Sequence, residues 1–300
     1  MDTDALAACL TSASCLVTQT TSGLIVGMLL FLVAAGLTLI FGVLKVVNFA
    51  HGTFYMLGAY IALTVYQATG SYVLAVAAGA VAMGLFGVLF ERFLISRVYG
   101  SNVLMQLLIC YAVVLIFDDV VKLVWGADFH AMGMPAAFQV PPLFVAGGVV
   151  PPFYLVLIAV ALVIAIGLGA GLALTRWGKI VRAAAQNPDM VAALGINTTA
   201  LFAAVFAVGG ALAGLAGGLA APVRSLTPGM GFSVLIESFI VTVIGGMGSI
   251  AGALVAAVVL GLIRSFGTIG FPMFTDGLMY IAMIAILLTR PAGLFGREVV

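Results

Sequence analysis

Residues 23–44 read GLIVGMLLFLVAAGLTLIFGVL, an apolar run of 22 residues without a charged side chain. A helix rises about 1.5 Å per residue, so this run is long enough to cross the ~30 Å hydrocarbon core of a bilayer. It is longer than the apolar part of a secretory signal peptide, and Met1–Asp4 before it has no basic residue. The run therefore predicts a first membrane-spanning helix rather than a cleaved leader.

The composition of the chain indicates the same environment. Of its 300 residues, 64% are hydrophobic and only 7% are charged, and the mean hydropathy is +1.33. A soluble domain carries about 25% charged residues, so lipid must cover much of this protein. The net charge is +1 and there is no basic run, so nothing points to a nucleic-acid partner. We expect an all-α integral membrane protein in a lipid bilayer.

Further uncharged runs follow along the chain. Gly52–Phe90 has 39 uncharged residues, too many for one helix, and the polar stretch Gln67–Ser71 divides it into two. Later spans are expected at Val103–Phe117, Phe153–Leu174, Thr198–Ala221, Ser238–Ile263 and Asp276–Thr289. The sequence thus predicts a polytopic bundle of eight or nine transmembrane helices, forming a single transmembrane domain over residues 1–300.

The number of spans depends on Ser238–Ile263, an uncharged run of 26 residues. In its middle lie Gly245, Gly246, Gly248 and Ser249, a cluster typical of a turn. If this cluster breaks the run into two shorter helices, the chain crosses the membrane nine times. If the run is one tilted helix, the chain crosses it eight times.

Some glycines recur four residues apart within the predicted spans. Examples are Gly210, Gly214 and Gly218 in one span, and Gly167 and Gly171 in another. This spacing flattens one face of a helix and lets another helix approach closely. The partner helix can belong to the same subunit or to a second subunit.

The basic residues indicate an orientation, because cytoplasmic loops of membrane proteins are rich in lysine and arginine. With the N-terminus outside and nine spans, eight basic residues lie inside and three lie outside. The inner set is Lys45, Arg92, Arg97, Arg176, Lys179, Arg182, Arg290 and Arg297, and the outer set is Lys122, Arg224 and Arg264. In this orientation Cys9 and Cys15 can form a disulfide, although the sequence does not decide whether they do.

The inner segment Thr175–Asn197 contains the signals of a very short helix. These are a cap at Asn187, a proline at the first helical position (Pro188), an acid in the first turn (Asp189) and a stop at Gly195. They predict a helix of about two turns over Pro188–Leu194. The alanine-rich Arg182–Gln186 before it predicts a second helical turn.

So short a helix is unstable alone in water. It nevertheless exposes Met190, Ala193 and Leu194 on one side, and a simple connection between two spans needs no such device. We interpret the segment as a docking element for a cytoplasmic partner. The alternative is a structural helix that faces lipid.

Three stretches carry a resemblance to a known family. Residues 182–197, RAAAQNPDMVAALGIN, are similar to the coupling loop of branched-chain amino-acid ABC permeases. Residues 36–52, GLTLIFGVLKVVNFAHG, and 243–253, VIGGMGSIAGA, resemble the same family. Its members usually have proline where this chain has Ala251. The resemblance extends from about Gly23 to Gly293 and is stronger to the H-type than to the M-type subunit.

The resemblance implies an assembly in the bacterial inner membrane, with a periplasmic N-terminus and a cytoplasmic C-terminus for this chain. Its other members are a second permease subunit, two cytoplasmic ATPase subunits and a periplasmic substrate-binding protein. The two permease subunits are expected to form a heterodimer, although the sequence does not decide between a heterodimer and a homodimer. The implied solutes are leucine, isoleucine and valine, with urea or short amides in sister branches, and the implied mechanism is alternating access. Residues 182 and 187–190, with Ala193, Leu194 and Gly195, would then couple the permease to the ATPases.

Three polar residues are candidates for the solute path. Asn48 and His51 interrupt an apolar stretch and can line its inner mouth; alternatively Asn48 caps the second span and His51 packs at an interface. Glu237 lies between apolar flanks, and a membrane carboxylate rarely faces lipid. It can meet the ammonium group of a solute, pair with a neighbouring subunit, or lie near the outer interface as an acid at a helix N-terminus.

Catalytic and cofactor motifs are missing from the sequence. It has no phosphate-binding loop, so we expect partner subunits to hydrolyse ATP. Two histidines and three scattered cysteines give no metal spacing and no nucleophilic triad. We therefore expect neither an enzyme nor a bound cofactor. An ion-coupled secondary transporter is a less favoured alternative, because such proteins usually have several intramembrane ionisable residues.

Overall fold

The computed structural model describes residues 3–296 and is helical apart from loops and one small hairpin. Its helices are α1 (Thr3–Thr11), α2 (Ala13–Leu44), α3 (His51–Thr69), α4 (Tyr72–Phe93), α5 (Val103–Trp125), α6 (Pro152–Leu174), α7 (Arg176–Gln186), α8 (Pro188–Ala193), α9 (Thr198–Ala220), α10 (Met230–Gly245), α11 (Ile250–Gly270) and α12 (Thr275–Thr289). The antiparallel strands β1 (Leu143–Val145) and β2 (Gly148–Val150) form the hairpin. The protein is an all-α membrane protein.

Six helical segments within residues 3–296 are long and apolar enough to cross a membrane. They are Ala13–Leu44, Tyr72–Val98, Pro152–Leu174, Thr198–Ala220, Ile250–Gly270 and Pro272–Thr289. Helix α10 is apolar but has only 16 residues, and α3 and α5 also fall outside this set. Length and composition therefore support six spans, fewer than the eight or nine expected from the sequence.

Helix α9 lies at the centre of the bundle and packs against α2, α3 and α4. Glycine makes this packing possible, because a Cβ added at Gly214 would lie 2.5 Å from the carbonyl oxygen of Gly79. A Cβ added at Gly79 would in turn lie 2.7 Å from the carbonyl oxygen of Gly58. The spaced glycines of α9 thus serve packing within this chain. On α6, by contrast, a Cβ at Gly167 or Gly171 would meet no atom within 4 Å.

Helix α2 has 32 residues and is longer than the ~30 Å hydrocarbon core requires. Its first turns carry the hairpin, since the Val149 amide donates to Thr18 Oγ1 at 3.1 Å. They also join α1 through a disulfide between Cys9 and Cys15, the pairing that the sequence left open. Helix α1 and the hairpin are therefore both attached to the N-terminal part of α2.

The chain between α10 and α11 is interrupted at Gly245–Ser249. Gly246 and Gly248 have φ angles of +96° and +91°, a region that favours glycine. Ser249 begins α11, because its side chain accepts a hydrogen bond from the Gly252 amide at 3.1 Å. The amides of residues 294 and 295 donate to the last carbonyls of α10, at 2.8 and 3.1 Å. Arg297, one of the predicted inner cations, lies outside the described residues.

Candidate functional site

The predicted docking segment forms two helices. Helix α8 covers Pro188–Ala193, one residue shorter than expected, and Asn187 Oδ1 accepts from the Met190 amide at 2.9 Å. Its end is followed by Gly195 with a φ of +81°. Helix α7 is longer than the predicted turn at Arg182–Gln186. It begins at Arg176 because Thr175 caps it, accepting from the Gly178 amide at 3.0 Å.

Both short helices present an outward face. In α8, Val191 is buried, whereas Met190 and Leu194 are 59% and 74% exposed, and Ala193 is also exposed. In α7, Gly178, Val181 and Ala184 are buried, and the cations Arg176, Lys179 and Arg182 are exposed. Apolar side chains on α8 thus lie open next to a basic helix, an arrangement suited to docking another protein.

Asn48 and His51, by contrast, are fully buried within the chain. Asn48 Oδ1 accepts from the Ala50 amide at 3.0 Å in the turn before α3. His51 Nε2 lies 3.1 Å from the carbonyl oxygen of Val33 on α2. In this conformation neither side chain reaches an open path, so their contacts favour the packing alternative.

Glu237 lies on α10 in a network of charges from four elements. Arg264 Nη1 on α11 donates to Glu237 Oε1 at 2.5 Å, and its Nη2 lies 3.6 Å from Asp276 Oδ1 on α12. Arg224, in the loop between α9 and α10, lies with Nη2 3.9 Å from Glu237 Oε2. Burial by itself lowers the pKa of Arg224, but Tyr55 and Glu237 beside it raise the pKa above its usual value.

The partners of Glu237 were not predicted from the sequence, although the sequence contains a signal for them. Arg224 and Arg264 were two of the three cations placed on the outer side, against the charge rule. The third, Lys122, pairs with Asp119 at 2.8 Å. Each of the three exceptions thus lies next to a carboxylate. The sequence has an arginine predicted on the outer side and a carboxylate within an apolar run. Together they could have predicted the ion pair between Arg264 and Glu237.

A cavity of about 150 Å³ adjoins this network between α10 and α12. We call it the outer cavity. Its lining residues are Ser233, Ile236, Glu237, Ile240, Asp276, Met279 and Tyr280. It therefore combines two carboxylates, two hydroxyl groups and three aliphatic side chains. Within residues 3–296, no group of three or more His, Cys, Asp or Glu residues is arranged to hold a metal ion.

Comparison with known proteins fits this arrangement of apolar helices with an exposed segment between α6 and α9. A family described as "Branched-chain amino acid transport system / permease component" matches residues 19–287 of the chain. The chain belongs to this family. The permease is therefore a transport protein and not an enzyme.

Individual relatives match the permease over most of its length. The high-affinity branched-chain amino acid transport system permease protein BraD of Pseudomonas aeruginosa is 31% identical, covering 93% of this chain and 95% of BraD. The corresponding LivH protein of Escherichia coli is 27% identical, with the same coverage. A probable branched-chain amino acid transport permease protein LivH of Methanocaldococcus jannaschii is 30% identical over 90% of this chain and 89% of its own. No solved structure matches the permease significantly.

Proposed function

We propose that the permease is a transmembrane subunit of an ATP-binding-cassette importer that moves branched-chain amino acids into the cytoplasm by alternating access. The exposed apolar face of α8 carries the proposal, because a helix of six residues gains stability from a docked partner. The names of the relatives support the solute class. An importer of urea or short amides in the same family is the alternative, and an ion-coupled transporter is less favoured.

The proposed assembly has a second permease subunit, two cytoplasmic ATPases and a periplasmic binding protein. Helix α8, within the coupling loop 175–197, would seat in a groove of one ATPase. ATP-driven closure of the ATPases would then move α8 and reopen the solute cavity toward the cytoplasm. Residues 1–300 would form one permease domain in the bacterial inner membrane.

We further propose nine spans, by adding α3, α5 and α10 to the six segments named above. Nine crossings put the two termini on opposite sides, and the distribution of basic residues favours a periplasmic N-terminus and a cytoplasmic C-terminus. The Cys9–Cys15 disulfide supports this orientation, because disulfides persist in oxidising compartments such as the periplasm.

Asn48, His51 and Glu237 remain our candidates for the solute path. Asn48 Nδ2 and His51 Nδ1 have no hydrogen-bond partner in the described part of the chain, although both are buried. Such groups are costly to leave unpaired. A conformation that opens the inner mouth would let water or solute reach them.

Labelling of introduced cysteines tests the orientation. A membrane-impermeant thiol reagent added to intact spheroplasts is expected to label a cysteine at Gly133 and not one at Gln186. Inside-out vesicles should give the reverse result. A cysteine at Gly100, in the loop before α5, is the control and should behave as the one at Gln186 does. If the cysteines introduced at Gly133 and at Gln186 are labelled from the same side, the proposed topology of nine spans is wrong.

Reconstitution tests the transport function. The permease, co-expressed with its ATPases and second subunit and placed in proteoliposomes, should take up labelled leucine, isoleucine or valine. Uptake should require ATP and the loaded binding protein, and urea should not compete. Uptake driven by an ion gradient without ATP would instead favour a secondary transporter, and competition by urea would favour the sister branch.

A further inference from the structure

We propose that the outer cavity between α10 and α12 is a binding site for a zwitterionic aliphatic amino acid. This inference rests on the proposed function and adds a location for the solute in the permease itself. Its basis is the mixed lining of the cavity, which matches each part of such a molecule. The charged groups, the apolar lining, the volume and the surroundings of the outer cavity each support this site.

The charged groups suit both ends of a zwitterion. Glu237 and Asp276 line the cavity and can accept hydrogen bonds from an ammonium group. Glu237 Oε2 is buried and has no hydrogen-bond donor among the described residues, because Arg224 Nη2 is 3.9 Å away. Arg264 is not one of the lining residues, but it contacts both lining carboxylates and so places a guanidinium group beside the cavity, where a solute carboxylate can pair with it. The network thus offers both signs of charge at one place.

The apolar part of the lining suits an aliphatic side chain. Ile236, Ile240 and Met279 line the cavity together with the polar groups. Ile240 is almost completely buried, so its position is fixed by packing. Met279 can adapt to differently branched side chains, because its thioether chain is flexible. These residues favour leucine, isoleucine or valine over a polar solute of the same size.

The volume of the cavity agrees with this solute class. A water molecule needs roughly 10–15 Å³ of such volume. A cavity of about 150 Å³ therefore holds about ten atoms of that size. Leucine and isoleucine have nine non-hydrogen atoms each, and valine has eight.

The surroundings argue against lipid as the occupant. Charged side chains in membrane helices face a protein interface or a water-filled space rather than hydrocarbon. A larger cavity of about 350 Å³ between α4 and α9 provides the contrast, since alanine, glycine, valine and leucine alone line it. That cavity suits an acyl chain. The polar side chains in its lining, rather than its volume, therefore distinguish the outer cavity as the solute site from the cavity between α4 and α9.

Filling the outer cavity tests the proposal. We expect Ile236→Trp to lower leucine uptake by the reconstituted importer at least tenfold. The matched control is Ile284→Trp on α12, an exposed residue that does not line the cavity and should leave uptake unchanged. Stimulation of ATP hydrolysis by loaded binding protein should persist in both variants, because α8 is unaltered. Glu237 is a poorer probe, since its substitution leaves Arg264 without its acceptor.

A second measurement keeps the proposal falsifiable if the tryptophan variant folds badly. Ser233, an exposed residue of the lining, is replaced by cysteine and modified with a thiol reagent. Leucine should slow the modification in the assembled permease, and urea should not. Equal modification rates with and without leucine would overturn the site, and so would normal leucine uptake by a folded Ile236→Trp variant. Such a result leaves the importer function standing, whereas a wild-type complex without ATP-driven leucine uptake would refute that function.

Discussion

Replacing Ala193 with arginine is expected to abolish solute uptake by the assembled importer. Ala193 is exposed at the end of α8, next to Leu194, whose side chain is 74% exposed. A partner groove that accepts a small side chain has no room for a long cation, and burying an unpaired charge is costly. The permease should still insert normally, because α8 lies outside the spans. Stimulation of ATP hydrolysis by loaded binding protein should vanish together with uptake.

The control for this variant is Ala200→Arg. Ala200 is also exposed and lies in the first turn of α9, beyond the proposed docking face. The Ala200→Arg variant should keep most of the solute uptake and most of the stimulation of ATP hydrolysis. Normal solute uptake and normal stimulation of ATP hydrolysis in Ala193→Arg would refute the coupling role of α8. The importer proposal would then depend on its relatives alone.

Replacing Gly214 with valine should largely prevent the protein from folding. The new Cβ would lie 2.5 Å from the carbonyl oxygen of Gly79 and 2.6 Å from Met83 Cβ. Neither α4 nor α9 can move away easily, since α9 also packs against α2 and α3. Overpacking in a well-filled core costs ~1–3 kcal/mol and sometimes more. We expect a cost at the upper end, because backbone atoms are in the way.

The readouts for Gly214→Val are the amount of monodisperse protein in mild detergent and the midpoint of its thermal unfolding. Gly169→Val on α6 is the matched control, since a Cβ there meets no atom within 4 Å. Both substitutions place valine inside an apolar helix, so differences in helix propensity cancel. A Gly214→Val protein as abundant and as stable as the control would mean that α4 and α9 are farther apart than described.

The sequence predicted the position of the short helix α8 well and the polar network around Glu237 poorly. Asn187, Pro188 and Gly195 act through hydrogen bonds and backbone angles within a few residues, so local spacing was enough to place α8. Glu237 and Arg264 are 27 residues apart and lie on different helices. Their pairing depends on how α10 and α11 pack, which no local pattern describes. Glu237 was therefore noticed as an isolated carboxylate, and its partners were not.

Asn48 and His51 show the same limit of prediction from sequence. Their polarity in an apolar stretch made them candidates for the solute path, and the structure buries both within the chain. Burial depends on the neighbouring helices, since His51 meets the Val33 carbonyl of α2. A polar residue in a membrane helix marks a need for a partner. It does not tell whether that partner is a solute or the protein backbone.

The sequence by itself determined the solvent of this protein, its helical class and the position of the short helix α8. These properties follow from composition, run length and capping, which act along the chain. Only the tertiary structure decided that the glycines of α9 meet α3 and α4, that Cys9 pairs with Cys15, and that the outer arginines neutralise Glu237 and Asp276. It alone also revealed the outer cavity, because a cavity is a space between helices that are distant in sequence. Contacts of this kind form when the whole bundle packs, and no single segment encodes them.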